Sequence, residues 1–126
     1  METKEIPRDE WKSFFDVFSR QHEGWLATLE ILGHEVDAQQ EVHEFLLKYI
    51  TLTSVGGQSE AIAINFGKTP EDHLKHTVIE PTHVRLAQTP EGANAGLEIE
   101  SADETKTLIR FRSSVLPEFV DGVVLE

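Results

Sequence analysis

Trp11, Phe14, Phe15 and Phe18 fall at i, i+3, i+4 and i+7, one aromatic stripe on an amphipathic helix. Pro7 suits a first helical turn, and Gly24 stands where a left-handed residue ends a helix, so the spacing predicts a helix over residues 7–22. Such a stripe normally packs on a core. Beyond Gly24 the period falls to two: Trp25, Ala27, Leu29 and Ile31 share one face of a half-buried strand, with Thr28 and Glu30 on the other.

The segment 38–54 supports two readings. Val42, Phe45, Leu46 and Tyr49 would form a helical face over 38–48, yet YITLTSV is rich in β-branched residues and ends at Gly56-Gly57. Two strands, about 38–45 and 48–54, are the preferred expectation. SEAIAINFG then alternates as a core strand, with Ile62, Ile64 and Phe66 on one side. Thr69-Pro70-Glu71-Asp72 has helix-start chemistry, with room for only one or two turns before the β-branched run Thr77-Val78-Ile79. Pro81 marks an edge or bend, PTHVRLAQ extends a strand to Gln88, and GLEIES with KTLIRFRS forms a hairpin. Pairing residues whose numbers sum to 208 sets Ile99 against Ile109, Leu97 against Phe111 and Glu98 against Arg110.

One helix followed by about six to seven short strands, with no βαβ alternation, predicts an α+β domain. In it the N-terminal helix caps a strongly bent antiparallel sheet or small β-barrel. The 126 residues suit a single domain: helix 7–22, a β-rich core over 25–113, and a tail over 114–126. That tail carries Leu116, Phe119, Val120, Val123 and Val124, an apolar set expected to dock on the core or on a partner.

Composition narrows the chemistry. With no cysteine, disulfides, thiolate metal sites and cysteine nucleophiles are excluded. Eleven basic against 23 acidic residues give a net charge of −12, a field that repels nucleic acid and anionic membranes. No signal sequence or apolar span is evident, so a cytoplasmic protein is expected. No phosphate-binding loop, nucleophile elbow or metalloprotease motif occurs, and no catalytic residue or cofactor is assigned.

The segments EIPRDEW, LEILGHEVDAQQ, HLKHTVIEP and LEIESADETKTLIRF together resemble, over nearly the whole chain, a family of small bacterial proteins known only as a domain of unknown function. The resemblance implies a bacterial cytoplasmic protein without established activity, and it supplies no catalytic residues. The layout of a helix and bent strands is also similar to Sm-like and SH3-like small barrels, a likeness of architecture that transfers no function.

One candidate site stands out. HLKHTVIEPTH holds three of the six histidines, and His73, His76, Glu80 and His83 could bind a divalent transition metal such as zinc, provided 70–76 is helical. An extended backbone would send the rings of His73 and His76 to opposite faces. His22, His34 and His43 read as loop or surface residues. The leading expectation is a non-enzymatic interaction or oligomerisation module, a homodimer or a complex with another protein, formed through the C-terminal tail or an edge strand. The alternative is the histidine-centred metal or ligand site, with hydrolytic activity as an extension.

Overall fold

The computed structural model describes residues 2–33, 39–56, 59–69 and 71–115. Its centre is the aromatic stripe. A 3-10 turn, Arg8–Glu10, leads into helix α1, Trp11–His22, whose residues Trp11, Phe15, Phe18 and His22 recur at spacings of four, three and four and are all buried. Pro7 is the extended residue that caps the turn rather than part of it, with ψ 146°. Gly24 ends the helix at φ 84°, as its position suggested, and its N–H donates to Leu47 O at 2.7 Å.

Among the described residues eight strands accompany this helix: β1 Glu2–Glu5, β2 Leu26–Leu32, β3 Gln39–Val55, β4 Ser59–Gly67, β5 Leu74–Ile79, β6 Pro81–Gln88, β7 Asn94–Ser101 and β8 Lys106–Val115. They form one antiparallel sheet in the order β1-β6-β7-β8-β2-β3-β4-β5, which is not closed into a barrel. The expected count of six to seven is therefore corrected to eight. The strand absent from that expectation is β1, whose sequence ETKE has no apolar alternation; it is held by pairing Glu2–Glu5 with Arg85–Gln88.

Residues 39–55 make one long strand, neither a helix nor two separate strands. Its first half pairs with β2 and its second with β4, and an extra residue near Lys48 absorbs the change of phase. Partners along both halves outweigh a local helical pattern. Beyond Leu26, where β2 begins, α1 takes over that flank: Ser19 Oγ accepts from Ile50 N at 2.9 Å and donates to Ile50 O at 3.2 Å.

The expected helix start at residues 69–72 is also corrected. Asp72 N–H closes a single turn on Thr69 O at 3.1 Å, and by Leu74 the chain has entered β5. Gly67 permits this turn, because a Cβ there would lie 2.6 Å from Asp72 O. Pro70 and residues 116–126, the greater part of the expected tail, lie outside the described residues.

In the β7–β8 hairpin the observed pairs Leu97↔Ile109, Ile99↔Thr107 and Glu98↔Leu108 sum to 206, two less than expected. An even shift preserves the faces, so Leu97, Ile99, Ile109 and Phe111 remain in the core. The turn decides between registers of equal parity. Asp103 Oδ1 accepts from Thr105 N at 3.0 Å, Glu104 adopts φ 69°, and Glu100 then faces Lys106. Arg110 bonds Glu30 on β2 at 3.3 Å instead of Glu98.

The ends of the sheet approach each other at one residue. β5, last in the order, is separated from β6, second in the order, only by Glu80, which takes φ 54°. Its N–H donates to Glu60 O at 3.0 Å and its carbonyl accepts from Ala102 N at 2.9 Å.

Two substitutions test this frame by urea unfolding. Gly24→Ala adds a side chain into open space at a positive φ and should cost about 1 kcal/mol. Phe15→Ala empties the fully buried centre of the stripe and should cost about 3–5 kcal/mol.

Candidate functional site

The four residues singled out as metal ligands occupy four different settings. His76 lies in the β5 row Leu74, His76, Val78, which faces the core residues Phe66, Ile64 and Ile62 of β4. It is half-buried, and that burial lowers its pKa from 6.5. His73 precedes the strand and lies beside Tyr49, ring centroids 6.3 Å apart. Tyr49 pairs with Asn65, which pairs with Lys75, so His73 belongs to the opposite face from His76. Glu80 is exposed in the connection to β6. Among the described residues no group of three or more His, Asp or Glu is placed to hold a metal ion.

His83 belongs to a fourth setting, the outer face of β1, β6 and β7. Its Nδ1 lies 3.0 Å from Glu5 Oε2, while Arg85 donates to Glu5 at 3.2 Å, to Glu98 at 2.6 Å and to Glu100 at 3.0 Å. The hydrogen bond from Arg85 holds the Glu100 carboxyl below its ordinary range, and the bond to Glu100 raises the guanidinium pKa in turn. This network fastens the N-terminal strand to the sheet. It joins residues 80 apart, so no local motif announces it.

His22, read from sequence as a loop or surface residue, is in fact fully buried. Its ring stacks on Phe111 with centroids 4.7 Å apart and planes 8° apart, and it contacts Phe18 and Trp25 at 4.3 and 4.8 Å. Phe18 O accepts from Nδ1–H at 2.8 Å, leaving Nε2 to face the Asn94 amide nitrogen at 3.5 Å, while Asn94 Oδ1 accepts from Gln88 at 3.2 Å. Each donor in this chain meets an acceptor only when the imidazole is neutral. Burial accordingly lowers the His22 pKa, against a smaller opposing effect of the Phe18 carbonyl. The sequence did carry a signal: His22 continues the helical stripe four residues beyond Phe18.

What remains open is the β5 edge. The Glu80 N–H bond to Glu60 fixes the alternation along β4 and β5, whose register 61↔79 to 66↔74 is regular. Even-numbered β5 residues therefore bond β4, and Lys75, Thr77 and Ile79 direct N–H and C=O outward. Ser19 gives independent support: it occupies the Ile50 backbone groups, so Ile64 directs its own toward His76. Leu74 and Ile79 are 44 % and 51 % exposed on this strand. No residue from His73 to Ile79 is acidic, in a chain with 23 acids. The opposite end strand, β1, is short, charged and tied down by Glu5.

Comparison with known proteins identifies a family but adds no activity. The model of a family of unknown function, DUF5335, matches residues 2–118. An uncharacterised protein of Aquifex aeolicus (strain VF5) is 26 % identical over 119 residues, covering 94 % of this chain and all of the relative. Among the described residues, no helix is long and apolar enough to cross a membrane.

The buried neutral His22 makes stability depend on pH. The unfolded chain takes up the proton more readily than the fold, so stability should be level above about pH 6.5 and fall as the pH drops below it. His76 acts in the same direction. In His22→Phe the slope between about pH 7.5 and 5, measured by urea unfolding, should become shallower. An unchanged slope would contradict the assignment.

Proposed function

The chain belongs to the DUF5335 family, and since the function of that family is unknown, we propose from the geometry of this member that it is a non-catalytic interaction and oligomerisation module accepting an extended segment along β5. The observation that carries this reading is the outward row of backbone groups at Lys75, Thr77 and Ile79, which meet no strand partner among the described residues and are flanked by exposed Leu74 and Ile79. An end strand with open donors, open acceptors and apolar side chains is a template for another strand. At the other end of the sheet, β1 carries the charged residues that proteins use to discourage such pairing. The histidines fit the same reading: His76 packs inward from β5, and His73, just before that strand, lies beside Tyr49.

The competing reading, a divalent metal held by His73, His76, Glu80 and His83, has its own check. Elemental analysis of purified wild type should find no stoichiometric metal. A metal lost in both His73→Ala and His76→Ala would instead favour the metal site.

Thr77→Pro removes an outward N–H without breaking a β4 bond, since Thr77 bonds away from β4. Light scattering should show wild type assembling with concentration, more strongly at higher salt because the net charge of −12 is then screened. Thr77→Pro should remain monomeric. Assembly that persists in Thr77→Pro, or a wild-type chain monomeric up to about 0.5 mM, would count against the reading.

A further inference from the structure

Resting on the strand-addition reading, we infer that the segment accepted by β5 is the β5 of a second copy, antiparallel, with Thr77 on the two-fold axis. Two constraints select this register. Facing residues of an antiparallel pair point to the same side of a sheet, and a two-fold axis normal to the sheet keeps core side with core side. The numbers of facing residues must therefore sum to an even value. The outward backbone groups belong to Lys75, Thr77 and Ile79, so the ladder is longest when these three face one another.

A sum of 154 meets both conditions: Lys75 faces Ile79 of the partner subunit, Thr77 faces Thr77 of the partner subunit, and Ile79 faces Lys75 of the partner subunit. Three such pairs exchange roughly six hydrogen bonds. A sum of 152 or 156 leaves only two such pairs within Leu74–Ile79, and 152 would also oppose the two His76 rings.

Charge favours a second copy at this place. The chain carries −12 and repels itself almost everywhere, but the segment 73–79 has no carboxylate and one lysine. At a sum of 154 that lysine faces isoleucine, not its own copy. The central Thr–Thr pair is a favourable cross-strand neighbour, and the lysine stem covers part of the exposed Ile79 side chain.

The absence of cysteine makes the test direct. In full-length protein under copper–phenanthroline oxidation, Thr77→Cys should form a disulfide-linked dimer, since facing hydrogen-bonded residues lie at about 5.5 Å between Cα atoms, within disulfide reach. Lys75→Cys and Ile79→Cys should each stay unlinked alone and should link when mixed. Linkage through His76→Cys in place of Thr77→Cys would overturn the register. No linkage in any of these, with dimers still seen by light scattering and lost in Thr77→Pro, would overturn the second copy's β5 as the occupant and leave strand addition standing. A wild-type chain that shows no dimer at all would overturn both.

Discussion

The burial of one helical stripe inside a curved sheet is the interaction on which the remaining structure depends. Trp11, Phe15, Phe18 and His22 present a continuous apolar surface that a flat sheet would cover only in part, and the strands bend around it. α1 also contributes hydrogen bonds to that wrapping. Ser19 completes the backbone of Ile50 beyond the start of β2, and Trp11 Nε1 donates to Ile6 O at 2.9 Å, setting the course of the chain between β1 and the helix.

Curvature brings the sheet's ends together without closing it. β5 does not pair along β6, whose outer flank is occupied by β1 over Arg85–Gln88, with Ile6 N–H extending the contact to Val84 O. Glu80 joins the two ends through its backbone, and Arg8 spans them as well, donating to the Glu60 carboxylate of β4 and to Pro81 O of β6 at 2.9 Å. The N-terminal strand thus forms one end of the sheet, short and charged, while β5 forms the other, uncharged but for Lys75 and His76, each with a single neighbour among the described residues. The Glu5–Arg85–His83 contacts hold β1 in place on the flank of β6.

Much of this was legible in the sequence, and the remainder was obscured for physical reasons. The helix, its stop at Gly24 and the alternation of β2 follow from local periodicity, which reports directly on which face is buried; β4 was legible as a strand, although both of its faces are buried from Ala61 to Gly67. The β1 strand and the Arg85 network depend on contacts between distant residues. Residues 39–55 misled because Val42, Phe45, Leu46 and Tyr49 satisfy a helical period as well, and only pairing with β2 and β4 settles the matter. The hairpin shows the limit of pattern arguments: side-chain alternation fixes parity, while the turn at Asp103 and Glu104 chooses between registers two residues apart. For HLKHTVIEPTH the decisive property was backbone conformation. Because the chain is extended from Leu74, His73 and His76 diverge, and the segment's open backbone groups become its most informative feature.

Amide hydrogen exchange along β5, resolved by residue and followed from about 5 µM to about 0.5 mM protein, tests the central claim most directly. The account predicts that His76 and Val78 are protected throughout, and that Lys75, Thr77 and Ile79 exchange rapidly in dilute protein and become protected as concentration rises. Uniform exchange along the strand, insensitive to concentration, would contradict it.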